Sequence, residues 1–134
     1  MSLRLTPTTT PDTQFFWDAL QEHRLVIQRC TGCGALRHPP RPMCPQCNSL
    51  QFEAVESSGH GAVFSFVMPR HPEFPGLDNP EIVAIVELDE GTRLVTNLVD
   101  VEPAQVSIGM RVAVRFVEFD GGLVLPQFAP EALA

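Results

Sequence analysis

The stretch Cys30-Thr31-Gly32-Cys33, followed by Cys44-Pro45-Gln46-Cys47, decides the fold of this chain, because all four cysteines lie in these two pairs. A two-residue gap lets both thiolates of one tight turn face a single ion. The flanking glycines, Gly32 and Gly34, tolerate the backbone geometry that such turns need. Two such pairs supply the four ligands of a tetrahedral zinc site. We therefore predict a structural metal centre with no coordination position left for water or substrate.

Other chemistries also use paired cysteines, and the sequence does not favour them equally. Two disulfides would suit a secreted domain, but no apolar signal segment precedes the cysteines. A redox Cys-x-x-Cys motif normally stands alone near a βαβ pattern, which this sequence lacks. Iron in a rubredoxin-like site stays open, because tetrahedral sulfur suits both metals. We predict zinc, bound by thiols that a reducing cytoplasm keeps free.

Length and charge limit the classes of function. The 134 residues, 44% of them hydrophobic, suffice for one ordinary domain or for two small ones that share a core. No run is long and apolar enough to cross a membrane. The net charge is −7, and all 9 basic residues are arginines. Because affinity for nucleic acids comes mostly from neutralised phosphates, this balance argues against a nucleic-acid-binding protein.

An amphipathic helix is predicted over residues 11–23. Thr10-Pro11-Asp12 supplies an N-cap threonine, a proline at the first helical position and an acidic residue near the positive end of the helix dipole. The run Phe15-Phe16-Trp17 spreads over about 200° of the helix surface, about twice the width of an ordinary core-facing stripe. One of these aromatic side chains must therefore point away from the core. It either covers the metal-binding module or forms a surface for a partner.

The metal-binding module is predicted as a ribbon. A strand over residues 25–29 leads into the first cysteine pair, and a return strand covers residues 52–56. The loop between the pairs is rich in proline, at Pro39, Pro40 and Pro42, and should be stiff. Its Arg37, His38 and Arg41 form the most basic spot in the sequence. Arg37 and Arg41 are either solvated or bind an anionic ligand or partner.

The rest of the chain reads as all-β. The predicted strands are residues 62–68, 82–88, 93–98, 111–119 and a last one that starts at 123 and ends by Pro126 or Phe128. A long loop covers residues 69–80, and Asp120-Gly121-Gly122 forms a tight hairpin turn. Five strands in this arrangement suit a partly open Greek-key barrel of the OB type. We expect a mostly β protein with a helix and zinc ribbon in residues 1–58 and a five-stranded OB-fold barrel in residues 59–134.

Catalytic candidates are few. The four histidines, His23, His38, His60 and His71, are scattered, and the paired carboxylates fall in turns. The chain has no tyrosine and no cysteine outside the two pairs, so it offers few nucleophiles or general acids. We expect that it does not catalyse a reaction alone.

The order of these signals matches a known family. The matching elements are Phe16-Trp17, Leu25 with Gln28-Arg29-Cys30, Cys33-Gly34, Pro39-Pro40-Arg41, the second cysteine pair, Gly59-His60-Gly61 with Val63 and Ser65, residues 83–89, and Ile108-Gly109-Met110 with Val112. On these residues the chain resembles the rubredoxin-like zinc-ribbon plus OB-fold proteins of acyl-CoA metabolism, a family formerly described as a domain of unknown function. The resemblance covers nearly the whole chain.

The resemblance implies an accessory subunit that docks on a larger acyl-CoA enzyme through its helix and ribbon. That partner is expected to be a thiolase-fold thiolase or an aldolase of lipid or steroid side-chain degradation, in a hetero-oligomer in the cytoplasm. The partner would hold the catalytic groups, with acyl-CoA as a shared ligand. A MaoC-like enoyl-CoA hydratase is the alternative partner, and a chain of this length without a hydratase segment favours the thiolase type. A nucleic-acid-binding ribbon–OB module is the other alternative.

The residues expected to contact the partner or ligand come from both lines of reasoning. The resemblance carries over Phe16, Trp17, Pro39, Pro40 and Arg41. The helix pattern adds Phe15, and the basic spot adds Arg37. The metal ligands are expected to be Cys30, Cys33, Cys44 and Cys47.

Overall fold

The computed structural model of the protein describes residues 4–73 and 80–131. Within these residues the chain is mostly β, with one short α-helix and a single 3-10 turn. The elements in chain order are α1 (Gln14–Gln21), β1 (Val26–Cys30), β2 (Leu36–Arg37), β3 (Phe52–Glu56), β4 (His60–Val67), β5 (Val83–Leu88), β6 (Arg93–Asn97), the 3-10 turn (Pro103–Gln105), β7 (Arg111–Phe119) and β8 (Leu123–Pro130).

The first sheet is an antiparallel ribbon in the order β2-β1-β3. Ile27 of β1 lies opposite Val55 of β3, and Gln28 lies opposite Arg37 of β2. Both cysteine pairs lie in the turns at the end of this ribbon. β2 falls inside the segment that the sequence predicts as a loop, so the proline-rich stretch is anchored to the sheet at its start.

The second sheet closes on itself. Its order is β6-β5-β4-β7-β8, and a parallel bridge between Leu98, just after β6, and Phe128 of β8 joins the two edges. The backbone N–H of Val99 donates to the carbonyl of Phe128 at 2.8 Å. This is the five-stranded Greek-key barrel of the OB type, with a seam between β6 and β8 that is only partly hydrogen-bonded. The predicted fold class is confirmed.

The helix, the ribbon and the barrel share one hydrophobic core. Phe16 and Leu20 of α1 and Ile27 of β1 pack in the same buried cluster as Val86 of β5 and Phe128 of β8. The proposed division at residues 58 and 59 falls in the short link between β3 and β4, and it stays a prediction. Because the core crosses this link, the barrel fixes the position of the helix and the ribbon.

Two predicted boundaries are wrong. The helix begins after Thr13, not after Thr10, because the Thr13 N–H donates to the carbonyl of Thr10 at 3.0 Å and closes a separate turn before the helix. It ends at Gln21, because His23 adopts a left-handed conformation with φ of 57°.

The last strand also runs further than predicted, through Pro126 to Pro130. The Pro126 carbonyl accepts a hydrogen bond from Thr96 Oγ1 of β6 at 2.7 Å. The nitrogen of Pro126 faces the same seam, because the backbone nitrogen and carbonyl of a strand residue point towards the same neighbouring strand. No ladder bond to β7 is therefore lost at the proline.

In the described part of the chain, no helix has the length and hydrophobicity of a membrane-spanning segment. The predicted loop over residues 69–80 lies partly outside the described residues.

Candidate functional site

The four cysteines meet at the end of the ribbon. Their Sγ atoms all lie within 4.8 Å of one another. The distance is 3.5 Å between Cys30 and Cys47 and 3.7 Å between Cys33 and Cys44. A zinc ion with Zn–S bonds of about 2.3 Å holds its sulfurs about 3.8 Å apart. The cluster therefore fits a tetrahedral four-sulfur site, as the spacing predicts.

The two turns that carry the cysteines have the same backbone design. In the first, Gly34 N–H donates to the Cys30 carbonyl at 2.8 Å; in the second, Asn48 N–H donates to the Cys44 carbonyl at 2.9 Å. Both Gly34 (φ 81°) and Asn48 (φ 63°) are left-handed, a conformation that glycine and asparagine tolerate best. Each turn therefore has glycine or asparagine at its left-handed position.

Backbone N–H groups point at the first sulfur of each pair. Hydrogen bonds from the backbone of Cys33 and of Gly32 lower the pKa of Cys30 to about 6. The backbone N–H groups of Cys47 and Gln46 lower the pKa of Cys44 in the same way. At Cys47 the Ser49 N–H favours the thiolate, but the neighbouring Cys30 sulfur raises the pKa of Cys47 to about 12. Four thiolates at this separation need a cation among them, which is the role of a bound zinc.

The zinc would hold structure and would take no part in a reaction. Four sulfurs complete a tetrahedral shell, and binding ties the two turns together although ten residues separate Cys33 from Cys44. Cys30 and Cys44 are buried, whereas Cys33 and Cys47 are exposed.

A groove of about 270 Å³ lies where the helix, the loop after β2 and the barrel seam meet. We call it the seam groove. One wall carries the aromatic side chains of α1, the second carries the prolines of the loop, and β6 and β8 form the floor. Its lining residues are Thr13, Phe16, Trp17, His38, Pro39, Pro40, Leu94, Val95, Thr96, Asn97, Leu125, Pro126 and Gln127. None of these side chains is acidic or carries a permanent positive charge.

The three consecutive aromatic residues have three different environments. Phe16 is buried at 7% exposure, and its ring lies 5.3 Å from that of Trp17 and 5.2 Å from the imidazole of His38. Phe15 packs on Phe52 of β3 with ring centroids 5.0 Å apart, so it covers the ribbon. Trp17 is partly buried and lines the seam groove. Of the three, Trp17 is the ring that the groove presents to solvent.

The predicted basic spot divides into a buried and an exposed arginine. Arg37 is 8% exposed, and its Nη2 donates to the carbonyl of Arg41 at 3.0 Å. Arg41 itself is exposed, beside Pro39 and Pro40. Burial lowers the pKa of His38, so its imidazole is neutral at pH 7. Arg37 therefore supports the loop from inside, and Arg41 is the exposed member of the pair.

Gln28 is among the residues that carry the resemblance, but no role for it is predicted from the sequence. It is 1% exposed in β1. Its Nε2 donates to the Arg41 carbonyl at 2.9 Å, and its Oε1 accepts from the Arg41 N–H at 2.8 Å. The available signal was a glutamine beside the apolar run Leu25-Val26-Ile27, but only the fold shows that the side chain is buried. The groove residues of β6 and β8 carried no local signal at all.

Most arginines are neutralised by carboxylates. The pairs in the described part of the chain are Arg4 with Glu81, Arg24 with Glu22 and Glu56, Arg29 with Glu53, Arg93 with Glu87, Arg111 with Asp89 and Glu131, and Arg115 with Asp100. A barrel face that binds single strands needs a basic groove with aromatic side chains. The described surface does not provide one.

The histidines do not converge on a catalytic site. His23 lies beside Glu118 at 3.1 Å, and His60 lies beside Glu131 at 3.3 Å, each in an exposed pair. His38 lies in the seam groove, and His71 is exposed near the end of a described range. The four histidines therefore lie in separate places on the described structure.

Two family models match adjacent parts of the chain. The model described as "ChsH2, rubredoxin-like zinc ribbon domain" matches residues 17–53. The model described as "ChsH2, C-terminal OB-fold domain" matches residues 54–125. The first contains the cysteine cluster and the second contains most of the barrel. The named metal supports zinc over iron at the four-sulfur site.

Individual proteins are similar over most of this chain. It is 47% identical to a probable enoyl-CoA hydratase alpha subunit of Thermomonospora curvata, over 96% of this chain but 40% of that protein. It is 36% identical to a DUF35 domain-containing scaffold protein of Methanocaldococcus jannaschii, over 75% of this chain and 73% of that protein. Among solved structures, a chain of an Ltp2-ChsH2(DUF35) aldolase matches with a TM-score of 0.90 and 47% identity. That match covers 93% of this chain and 98% of the other, whereas this chain spans less than half of the hydratase subunit.

Proposed function

This chain belongs to the ChsH2 family of zinc-ribbon and OB-fold proteins, and on that premise we propose that it is a non-catalytic accessory subunit of an acyl-CoA-processing enzyme. The partner we propose is a thiolase-fold thiolase or an aldolase of lipid or steroid side-chain degradation. The observation that carries this proposal is the match over 98% of a chain from the Ltp2-ChsH2(DUF35) aldolase at a TM-score of 0.90.

In this role the chain provides a rigid docking surface, and the partner provides the catalytic groups. The zinc-bound turns hold the ribbon, the shared core holds α1 against the barrel, and together they present the seam groove. Trp17 is the residue we expect to dock, since tryptophan is the side chain most enriched among interface residues that dominate affinity. Pro39 and Pro40 line the same groove, and we expect them to make further contacts together with Phe15 and Arg41. The buried Phe16 and Arg37 would act by holding these residues in place.

Acyl-CoA would be the substrate of the partner. The seam groove, at about 270 Å³, is smaller than the 300–1,000 Å³ of typical small-molecule sites. We therefore expect this chain to border the path of the acyl-CoA without enclosing the whole ligand. A reducing cytoplasm is the compartment that would keep the four thiols available to zinc.

A hydratase is the second candidate partner. The observation that favours it is the 47% identity to the alpha subunit of a probable enoyl-CoA hydratase. Because this chain matches 40% of that subunit, its hydratase role would depend on segments or chains outside the matched part. The two candidates differ in which enzyme the chain binds, so affinity for each distinguishes them.

The test uses Trp17→Ala and the Ltp2 protein of the homologous aldolase as the probe partner. We expect binding to weaken by about tenfold or more, which corresponds to about 1.4 kcal/mol. The activity of the reconstituted pair should fall in parallel. The measurements are calorimetric titration and an aldolase assay, with zinc content and circular dichroism as folding controls. Ile108→Ala removes an apolar side chain that is 70% exposed and does not line the groove, and it should bind normally.

Two results would count against this assignment. If Trp17→Ala unfolds the isolated chain, the ring belongs to the core and not to an interface. If the variant folds and binds Ltp2 as the unmodified chain does, the helix is not the docking element.

A further inference from the structure

The loop that walls the seam groove is fixed by one buried side chain. Gln28 makes two hydrogen bonds to the backbone of Arg41, at 2.9 Å to its carbonyl and at 2.8 Å from its N–H. This pairing imitates the contact between neighbouring strands, where one residue exchanges both bonds with its partner. Arg37 Nη2 donates to the same carbonyl at 3.0 Å. The backbone after Pro40 is therefore fixed before any partner arrives.

The exposed side chain at the end of that loop lacks a partner of opposite charge. Among the described arginines, all except Arg37, Arg41 and Arg70 pair with a carboxylate. Arg37 is buried on a carbonyl oxygen. Arg41, which directly follows the groove-lining Pro40, is therefore the exposed and unneutralised cation of this loop. The chain as a whole has a net charge of −7, and no carboxylate lines the groove. An acidic group of a partner would complement the charge of Arg41.

The groove suits a protein side chain. Its volume of about 270 Å³ is below the range of small-molecule sites. Its walls are an indole and two prolines, and its floor includes Val95 and Leu125. Rigid apolar walls are typical of pockets that receive an anchor residue at protein interfaces.

We propose that the seam groove is a preformed socket for an apolar anchor side chain of the protein partner, and that a carboxylate next to this anchor pairs with Arg41. Gln28 is the positioning residue that keeps the socket open in the free chain. This inference rests on the proposed accessory function. It adds which side chains of the partner make the contact, and it identifies Gln28 as the residue that shapes the socket.

The positioning role of Gln28 can be tested without a partner. Trp17 is the only tryptophan in the chain and lines the groove, so its fluorescence reports on the groove. Gln28→Met keeps the length of the side chain but loses both hydrogen bonds. We expect the Trp17 emission to shift to longer wavelength and acrylamide to quench it more efficiently. Gln28→Glu still accepts from the Arg41 N–H but no longer donates to its carbonyl, and it should give an intermediate shift.

The matched control is Ile27→Val, which removes one buried methyl group from the same strand without touching the loop. It weakens the strand, but Trp17 emission should stay as in the unmodified chain. If the Gln28 variants and Ile27→Val show the same emission and quenching, Gln28 does not shape the socket and this part of the inference is wrong.

The partner chemistry is tested with Ltp2 and charge reversal. Arg41→Glu places a like charge opposite the expected carboxylate, so affinity should fall by about tenfold or more, and the loss should shrink at high salt. Arg115→Glu changes the net charge equally but lies in a surface pair with Asp100, and we expect less than about a twofold effect. Equal affinities of the two variants would overturn the carboxylate contact.

These outcomes separate the inference from the proposed function. If the unmodified chain binds neither Ltp2 nor a hydratase partner, the accessory function fails and the partner chemistry fails with it, while the emission of Trp17 still decides the role of Gln28. If the unmodified chain binds and Arg41→Glu binds equally well, the function stands and the proposed contact is refuted.

Discussion

A single added methyl group at Gly61 should destabilise the barrel that supports the groove. Gly61 lies in β4, the strand between β5 and β7, opposite Leu88 on one side and Val112 on the other. A Cβ built at this residue would lie 2.5 Å from the carbonyl oxygen of Glu87 and 2.9 Å from Cγ1 of Val86. An ordinary carbon–oxygen contact in a sheet is about 3.3 Å or longer. The strand would have to move by about 0.8 Å to accept Gly61→Ala.

The backbone cannot yield easily here, because moving β4 away from β5 presses it against β7. Adding a methylene group to a packed core typically costs about 1–3 kcal/mol, and a clash with backbone belongs at the upper end. We expect Gly61→Ala to lower the free energy of unfolding by about 3 kcal/mol. With a urea dependence of about 1–3 kcal/mol/M, the unfolding midpoint should fall by about 1–3 M.

The assay is urea denaturation followed by circular dichroism, with zinc held in excess so that metal loss does not contribute. Ser65→Ala on the same strand removes a partly buried hydroxyl that makes no described hydrogen bond, and it should change the free energy by less than about 0.5 kcal/mol. A midpoint for Gly61→Ala equal to that of Ser65→Ala would refute the reasoning, because it would mean that the strands separate without cost.

Three further predictions concern the metal, the groove histidine and nucleic acid. Elemental analysis should find about one zinc per chain, and Cys44→Ser should lose the metal and the order of the ribbon, since the binding energy of such sites is folding energy; iron or no metal in fresh protein would contradict this. Burial lowers the pKa of His38 from 6.5, so the unfolded chain binds more protons as the pH falls below 6.5. The free energy of unfolding should therefore decrease as the pH falls from 6.5 towards the pKa of His38 in the folded chain. His38→Gln should reduce this decrease in urea titrations between about pH 7.5 and 6. An unchanged pH dependence would exclude His38 as its source. A fluorescent single-stranded oligonucleotide should not bind at physiological salt, and tight, salt-sensitive binding would restore the nucleic-acid alternative.

Local spacing was enough to predict the metal site. Two residues separate the ligands of each pair, so the turn that joins them decides where they point. Gly34 has the positive φ that the turn of the first pair requires. The barrel strands were predictable for a similar reason, since apolar runs and glycine-rich turns are short-range signals. The ends of the elements were harder to predict. The sequence pattern indicated Thr10 as the N-cap, whereas Thr13 is the N-cap of the helix, and only the seam beside β6 explains why a strand continues through Pro126.

By itself the sequence determined the zinc ribbon, the five-stranded barrel and the scarcity of catalytic groups, because each depends on residue types and on neighbours within a few positions. Only the tertiary structure decided which aromatic residue is buried. Phe16 and Trp17 are adjacent and similar in the sequence, but the shared core buries Phe16 and leaves Trp17 partly exposed. The groove joins residues near 16, 39, 95 and 126, and the buried contact of Gln28 with Arg41 spans 13 positions. Such contacts arise from the packing of distant segments on one core, and no local pattern encodes them.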